Sequence, residues 1–255
     1  MKRPRVIPCL LLSDGNLVKT KKFKNPDYLG DPINAVRIFN EKGVDELCVQ
    51  DIGIAKSGGS IDFSLLSDIA SEAFMPLCYG GGIRSLHEAE LLFRIGFEKV
   101  MLNTALVENP SLVTDIAKRF GVQSVVASID AAQNVLGQPS IAVRGGTKRS
   151  AITPKAMAVR AEELGAGEIL LNSMQRDGMR NGYDLKLIRE VTTGLKIPLI
   201  ACGGAGKISD FAEALECGNA HAVAAGSLFV YYGPLQAVLI HMPDEEELRR
   251  AGVYQ

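Results

Sequence analysis

The chain has 255 residues, 47% of them hydrophobic, so it is long enough to bury one large core, and no stretch of it resembles a linker between two cores. Its 28 Lys and Arg residues nearly balance 29 Asp and Glu residues, which excludes a chain-wide charge that would favour nucleic acid or a membrane surface. No apolar run reaches the roughly 20 residues of a membrane-spanning helix, and the N-terminal apolar stretch is too short for a signal peptide. We therefore expect one cytoplasmic domain over residues 1–255.

Eight short β-rich runs recur along the chain, each followed by a helical pattern. This alternation predicts a parallel sheet, and runs that are apolar throughout are typical of strands covered on both faces. Eight such units in about 250 residues predict a closed (β/α)8 TIM barrel, with an open doubly wound sheet as the weaker alternative. The predicted strands are Arg5–Leu12, Leu47–Asp51, Met75–Tyr79, Val100–Asn103, Ser124–Asp130, Ile169–Asn172, Pro198–Cys202 and Ala222–Ala225.

The two halves of the chain are similar to each other. Gly43–Leu47 matches Gly165–Ile169, and Gly80-Gly81 matches Gly203-Gly204 at nearly the same offset. The pattern predicts a two-fold repeat of four βα units, and repeated elements predict repeated sites.

Glycine-rich turns follow the third and the seventh predicted strands, at Gly80–Gly82 and Gly203–Gly206. Glycine lets backbone N–H groups approach a phosphate closely, although a single such turn is equally consistent with a tight connection. Two turns in symmetric positions, each followed one strand later by a small hydroxyl residue, predict two anion sites at the carboxyl ends of the strands. The candidate phosphate contacts are Gly82, Asn103, Thr104, Asn172, Gly203, Gly204, Gly226 and Ser227.

Four charged residues stand at the opposite ends of predicted strands: Arg5, Glu46, Lys99 and Glu168. Two positive and two negative side chains predict a closed ring that forms a gate or an interface. The alternative is a polar layer that meets solvent at the barrel floor.

Asp130 is the best-placed proton-transfer group, because it ends an apolar strand where burial raises a carboxyl pKa. Asp51 and Asp177 also follow strands, but they are equally consistent with orienting or capping loops. Asp130 itself is consistent with a structural ion pair to Lys19 or another cation. The repeat aligns Asp130 with Leu11, so the position that would hold a symmetric second carboxylate carries a leucine.

The five cysteines are dispersed and odd in number, which argues against a disulfide framework and against a zinc site. We interpret Cys9, Cys48, Cys78, Cys202 and Cys217 as reduced core residues, and we expect no metal and no cofactor.

Short motifs typical of one protein family recur along almost the whole chain: Gly30–Pro32, Asp45–Leu47, Gly80–Ile83, Asn103–Ala105, Val107–Leu112, Gly165–Ile169, Arg176–Gly178 and Gly203–Gly206. Through them the chain resembles the HisF family, the cyclase subunit of imidazole glycerol phosphate synthase in histidine biosynthesis. The resemblance implies a HisH-like glutaminase docked on the N-terminal barrel face and ammonia passing the four-charge ring toward a phosphate-bearing substrate held at the glycine loops. It implies no nucleic-acid or membrane partner.

The chain departs from the family at the positions of the two aspartates that catalyse the family's reaction. Leu11 replaces the first and Asp130 keeps the second, and leucine transfers no proton. The stretches Val6–Leu12 and Gly226–Gly233 look closer to a paralogous branch of surface-polysaccharide biosynthesis, in which ammonia converts the acetamido group of a nucleotide sugar to an acetamidino group and a third protein takes part. Asp130, Lys19 and Asp177 are then the candidate catalytic residues.

Two alternatives stay open. One is the histidine-pathway cyclase, with Asp14 or Asp51 replacing the missing aspartate. The other is a non-catalytic barrel that only activates a glutaminase. We expect the segments Lys19–Tyr28 and Arg144–Ser150 to be loops that shape specificity, and the helical tail Asp244–Gln255 to pack without a role in the site.

Overall fold

Strands and helices alternate along the chain in a computed structural model, which describes residues 3–134, 136–233 and 235–254. The expected domain 1–255 and the tail that ends at Gln255 thus include positions outside the described residues, and the extent of the domain stays a prediction. The strands are β1 Arg5–Ser13, β2 Asn16–Lys21, β3 Lys24–Gly30, β4 Leu47–Asp51, β5 Leu77–Gly80, β6 Lys99–Leu102, β7 Val125–Gln133, β8 Pro139–Val143, β9 Lys148–Ser150, β10 Glu168–Ser173, β11 Leu199–Cys202, β12 Ala222–Ala225, β13 Tyr231–Tyr232 and β14 Ala237–Val238.

Helices follow the barrel strands, and several of them begin at a side-chain cap. Asp31 accepts a hydrogen bond from the Ile33 N–H at the start of α1, and Ser85 and Glu88 form a capping box at the start of α4. The helices are α1 Pro32–Glu41, α2 Ile52–Ser57, α3 Phe63–Ser71, α4 Leu86–Arg94, α5 Thr104–Glu108, α6 Ser111–Phe120, α7 Pro154–Leu164, α8 Leu185–Thr192, α9 Ser209–Glu216, α10 Ser227–Val230 and α11 Glu245–Arg250, with a 3₁₀ turn at Val122–Ser124.

Eight parallel strands close into a ring in the order β1, β4, β5, β6, β7, β10, β11 and β12, and β12 pairs back to β1. The pairing of β7 with β10 completes the circle, so the predicted (β/α)8 barrel is confirmed and the open sheet is wrong. Each predicted strand coincides with one ring strand to within three residues at either end. The two-fold repeat and the cytoplasmic location stay predictions.

Successive side chains of each ring strand alternate between the helices outside and the barrel interior. On β1 the inward residues are Arg5, Ile7, Cys9 and Leu11, from the amino to the carboxyl end. The same alternation on the other strands places a charged layer at one end of the barrel, an apolar and thiol layer in the middle, and polar side chains at the other end.

Of the two segments that we expected to be loops, Lys19–Tyr28 is largely strand, whereas Arg144–Ser150 consists of a turn over 144–147 followed by β9. β1 continues beyond the ring and pairs antiparallel with β2, and β2 pairs with β3. Asp14 and Gly15 have φ angles of 51° and 75° in the connecting turn. Asp-Gly is a strong hairpin signal that our prediction did not use. Similarly, β7 pairs with β8 and β8 with β9, so both excursions are ordered hairpins over the carboxyl end of the barrel.

The cysteines are free thiols, and Cys9, Cys48, Cys78 and Cys202 are buried as expected. Cys217 is exposed, so its interpretation as a core residue was wrong. It follows the last residue of α9, beyond the buried face of that helix. Within the described residues, no helix is long and apolar enough to cross a membrane.

Candidate functional site

A cavity of about 550 Å³ opens at the carboxyl end of the barrel, and a small one of about 30 Å³ lies beside it. The carboxyl end is where parallel barrels carry their chemistry. Both cavities are lined by Leu11, Gln50, Asn172 and Asp177, which therefore stand between them. The first predicted glycine loop lines the larger cavity and the second lines the smaller one.

The larger cavity contains Gly82, Asn103 and Thr104. Gly82 has a φ of 70°, and a Cβ there would lie 2.2 Å from the Ile54 side chain, so only glycine fits this turn. The Asn103 amide is directed inward: its Nδ2 donates to the Ser128 carbonyl at 3.0 Å and lies 3.3 Å from Asp130 Oδ2. Asn103 therefore positions Asp130 as well as bordering the first glycine loop.

The smaller cavity contains Gly203, Gly204, Gly226 and Ser227, together with Lys19. Lys19 lies on β2 and not on a loop, and its side chain runs so close to Gly226 that a Cβ there would lie 2.0 Å from Nζ. Lys19 is only 6% exposed, yet its side chain forms no ion pair or hydrogen bond with any residue that the structure describes. Its ammonium group therefore meets the cavity without a counter-charge, so this cavity suits an anion.

Asp130 is buried at the carboxyl end of β7 and lines the larger cavity. Burial, reinforced by the negative charge of Asp177, raises the pKa of Asp130 to about 7, while a hydrogen bond from Asn172 and the charge of Arg149 oppose the rise. The direction is the one expected from the sequence. No ion pair joins Asp130 to Lys19, so the structural pairing that we considered is not formed.

Asp177 is buried in the turn after β10. The hydroxyl of Thr20 donates to its carboxylate at 3.3 Å, and its backbone carbonyl accepts from the Lys22 N–H at 2.9 Å. Asp177 thus joins the β2–β3 hairpin to the barrel and places a second carboxylate close enough to influence Asp130.

Leu11 is 8% exposed and lines both cavities on β1. β1 and β7 are four places apart in the ring of eight, so Leu11 stands across the barrel from Asp130. Asp14 lies in the exposed β1–β2 turn and lines neither cavity, so its predicted role as a substitute aspartate was wrong. Asp51 does line the larger cavity, but its Oδ1 caps α2 by accepting from the Ile54 N–H at 2.9 Å.

The four charged residues at the amino ends of strands meet in a closed, alternating ring. Arg5 pairs with Glu46 and, at 2.5 Å, with Glu168, while the Lys99 ammonium lies 2.9 Å from both carboxylates. Burial lowers the pKa of Arg5 and Lys99, but attraction to the two glutamates outweighs it and raises both. The ring closes the amino end of the barrel interior with four ion-paired side chains.

Between the ring and the cavities the interior is uncharged. Its side chains are apolar or thiol: Ile7, Cys9, Cys48, Cys78, Met101, Val126, Leu170, Ile200, Cys202, Ala222 and Ala224. Hydrogen bonds to the neighbouring thiols Cys78 and Cys9, together with burial, raise the pKa of Cys48 and Cys202, so these thiols are neutral.

Sequence reasoning missed Gln50, which lines both cavities. Its spacing of two from Cys48 and four from Glu46 on one strand would have placed it on the inward face. Sequence reasoning placed Arg144 in a segment that shapes specificity but missed its partner at the rim of the larger cavity, Glu108, to which Arg144 forms two hydrogen bonds at 3.0 and 2.9 Å. In the described part of the chain, no group of His, Cys, Asp or Glu side chains is arranged to hold a metal ion.

Comparisons with known proteins point to one family. A family model described as "Histidine biosynthesis protein" matches residues 5–236. A protein of Pseudomonas aeruginosa named "Putative imidazole glycerol phosphate synthase subunit hisF2" is 50% identical over 97% of this chain and 99% of its own length. A Leptospira interrogans protein named "Putative imidazole glycerol phosphate synthase subunit HisF" is 44% identical over 97% of this chain and 98% of its own. "Imidazole glycerol phosphate synthase subunit HisF" of Streptomyces griseus subsp. griseus is 40% identical over 97% and 96%.

Proposed function

This chain belongs to the HisF family of histidine biosynthesis proteins, and from that premise we propose that it is the ammonia-using synthase subunit of a glutamine amidotransferase. The reaction that we propose converts the acetamido group of a nucleotide-linked sugar to an acetamidino group. The chain is an enzyme subunit, as its HisF relatives are. The substrate and the partners are the parts that the proposal adds.

Ammonia enters, in this proposal, at the amino end of the barrel from a HisH-like glutaminase subunit. The ring of Arg5, Glu46, Lys99 and Glu168 stands where such a partner would meet the barrel. Beyond the ring, the described side chains that line the interior up to the cavities are apolar or thiol, so none of them would trap an ammonium ion. A partner that displaces one member of the ring would open the way to uncharged ammonia.

The substrate's phosphates bind at the second glycine loop, where the unpaired Lys19 ammonium, Gly203 and Ser227 face one small cavity, and at the first loop around Gly82 and Thr104. Glycine backbones and a buried cation suit phosphate oxygens. The reacting group then lies between the two loops, against Leu11 and Asp130.

Asp130 accepts the proton in the proposed reaction. The nitrogen of ammonia forms a bond to the amide carbon, the carbon–oxygen bond breaks, and the oxygen leaves with an activating group that a third protein has attached. The attacking nitrogen must lose a proton, and a carboxylate with a pKa of about 7 is well matched to take it near neutral pH.

The observation that carries this choice is Leu11 opposite Asp130. Ring closure in the HisF family uses an aspartate on each of these strands, whereas attack by ammonia on an activated amide needs one base. A leucine at this position also gives the cavity an apolar surface for a methyl group.

The test supplies ¹⁵N-labelled ammonia to the purified chain together with its glutaminase, the third protein and a nucleotide-linked acetamido sugar. Mass spectrometry should detect one ¹⁵N atom in the sugar. The same chain given ammonia and the ribulosyl-aminoimidazole substrate should form negligible imidazole product. A ring-closure rate like that of a family cyclase would overturn the proposal.

The histidine-pathway cyclase is the second candidate. It is favoured by the 40% identity to the Streptomyces griseus HisF and by Asp51, a carboxylate at the larger cavity whose pKa is raised by burial. If Asp51 replaces the missing aspartate, Asp51→Asn should abolish imidazole formation. Asp51 also caps α2, so a substitution could disturb folding. Asp51→Ser keeps a capping oxygen and is the matched control for folding.

A further inference from the structure

Asn172 leaves a buried oxygen without a partner. Among the described residues, Asn172 Oδ1 and Ser140 Oγ are the buried side-chain polar atoms that lack a hydrogen bond. Ser140 lines neither cavity, but Asn172, only 6% exposed, lines both. An unpaired buried acceptor costs free energy, so a native structure keeps one where something joins it.

The orientation of the Asn172 amide shows where that partner must come from. The side chain lies next to Asp130, its register partner on β7, and its amide group lowers the pKa of Asp130. Its oxygen points the other way, toward Gly203, where a Cβ would lie 2.4 Å from Oδ1. The reverse orientation would set the amide oxygen against the Asp130 carboxylate. The free acceptor therefore stays on the side of Gly203, a residue of the smaller cavity, whenever Asp130 is ionised.

A carbonyl oxygen accepts hydrogen bonds and donates none. The oxygens of a nucleotide diphosphate are ionised at neutral pH and also only accept. Asn172 therefore does not suit a phosphate oxygen, although the sequence placed it among the phosphate contacts. It suits a substrate N–H or O–H group that lies beside the phosphates.

Gln50 supplies the complementary group. It lies near the end of β4, which is four places from β10 in the ring of eight, so Gln50 and Asn172 face each other across the barrel and line both cavities. Within the described residues, its side chain makes only a weak contact, 3.6 Å from Nε2 to Cys48 Sγ. Its NH₂ group is thus available to a substrate carbonyl, and Leu11 adjoins it as its register partner on β1.

We propose that Asn172 and Gln50 select a secondary acetamide: the substrate N–H donates to Asn172 Oδ1, its carbonyl accepts from Gln50 Nε2, and its methyl group packs on Leu11. The inference rests on the proposed function, because it takes the phosphate-bearing substrate to lie at the two glycine loops. It assigns specificity to two side chains, with Asp130 held next to the bound amide through Asn172.

Calorimetric titration tests the selection without turnover. The probes are UDP-N-acetylglucosamine, UDP-glucose, which lacks the acetamide, and pyrophosphate, which has only the anion. The wild-type chain should bind the acetamido sugar about tenfold more tightly than UDP-glucose, the difference expected for one or two hydrogen bonds. Asn172→Ala and Gln50→Met should each remove most of this preference and leave the affinity for UDP-glucose and pyrophosphate within about twofold.

Equal binding of the two sugars by the wild-type chain, or no binding of either, overturns the inference. So does an Asn172→Ala variant that weakens all three probes alike, since that result makes Asn172 a phosphate ligand. Gln50→Met keeps the test valid if Asn172→Ala does not fold, because Gln50 has fewer internal contacts. Failure of the ¹⁵N experiment alone would refute the proposed reaction and leave the measured acetamide preference in place.

Discussion

Leu11 and Asp130 face each other across the barrel, one on β1 and the other on β7, and both line the larger cavity. One side of the cavity floor is therefore apolar, and the other carries a carboxyl group whose pKa burial raises to about 7. A ligand in this cavity therefore meets a proton-transferring carboxyl group on the side of Asp130 and none on the side of Leu11.

Leu11→Asp restores a carboxylate at the position where the HisF family has one. We expect it to destabilise the fold by about 2–4 kcal/mol, because a buried apolar side chain becomes a charge. We expect no imidazole formation, because Gln50 and Asn172 shape the cavity for a different reacting group. The new charge should also raise the pKa of Asp130 further.

Ammonia-dependent assays with the ribulosyl-aminoimidazole substrate measure imidazole formation by Leu11→Asp, and Leu11→Asn is the matched control without charge. A gain of ring closure would favour the histidine-pathway cyclase.

Asp130→Asn tests whether the barrel is catalytic. Loss of the base should lower ammonia-dependent amidination by about 10²–10⁴-fold. The wild-type rate should rise with pH through about 7, as the carboxylate ionises. If the barrel only activates a glutaminase, cells that depend on the pathway should form as much product with the variant as with the wild type. Unchanged product with Asp130→Asn would therefore contradict catalysis by this residue.

The same substitution has a defined effect on stability. Burial raises the folded-state pKa of Asp130 above its unfolded value, so between about pH 4 and 7 the folded chain holds a proton that the unfolded chain has lost. The free energy of unfolding therefore falls as pH rises through this window, by up to about 4 kcal/mol from this group. Asp130→Asn removes that decline. Urea unfolding at pH 5 and pH 8 should show a smaller pH difference for the variant than for the wild type.

Much of this site was visible in the sequence because a barrel strand fixes which residues point inward. Arg5 and Glu46 stand at the starts of two strands. Because side chains alternate between the two faces of a strand and the sheet closes into a barrel, both side chains meet at the barrel axis. The same rule gives Asp130 its buried position. What the sequence did not reveal depends on contacts between distant loops: Lys19 became a buried cation because β1 extends into a hairpin that folds over Gly226.

The unpartnered oxygen of Asn172 was also beyond sequence reasoning. Its orientation depends on the Asp130 carboxylate beside it and on the missing side chain at Gly203, which follows the next ring strand. Composition and periodicity carry no information about such an orientation. Asp14 shows the reverse case, since its position near a strand end was clear but it lies in an exposed turn and lines neither cavity.

Lys19→Met should separate binding from folding. Because the largely buried Lys19 side chain has no charged partner among the described residues, its removal should leave the empty protein as stable as the wild type or up to about 2 kcal/mol more stable. Affinity for pyrophosphate should fall at least about tenfold, because the buried charge no longer faces the anion. Thermal unfolding and calorimetric titration measure the two effects. Lys21→Met, an exposed lysine on the same strand, is the control. Unaltered pyrophosphate binding by Lys19→Met would remove this lysine from the anion site.

Lys99→Met tests the ring as the entry point for ammonia. Lys99 neutralises Glu46 and Glu168 at 2.9 Å each, so its loss leaves two buried carboxylates facing Arg5 alone and should destabilise the fold by about 2–4 kcal/mol. With the glutaminase bound, glutamine-dependent amidination should fall severalfold, whereas amidination from added ammonium salt should stay near the wild-type rate. Arg94→Met removes an exposed helix ion pair and should change neither rate, since such pairs contribute less than about 1 kcal/mol. If Lys99→Met lowers the glutamine-dependent and ammonia-dependent rates equally, the ring supports the barrel and does not gate ammonia.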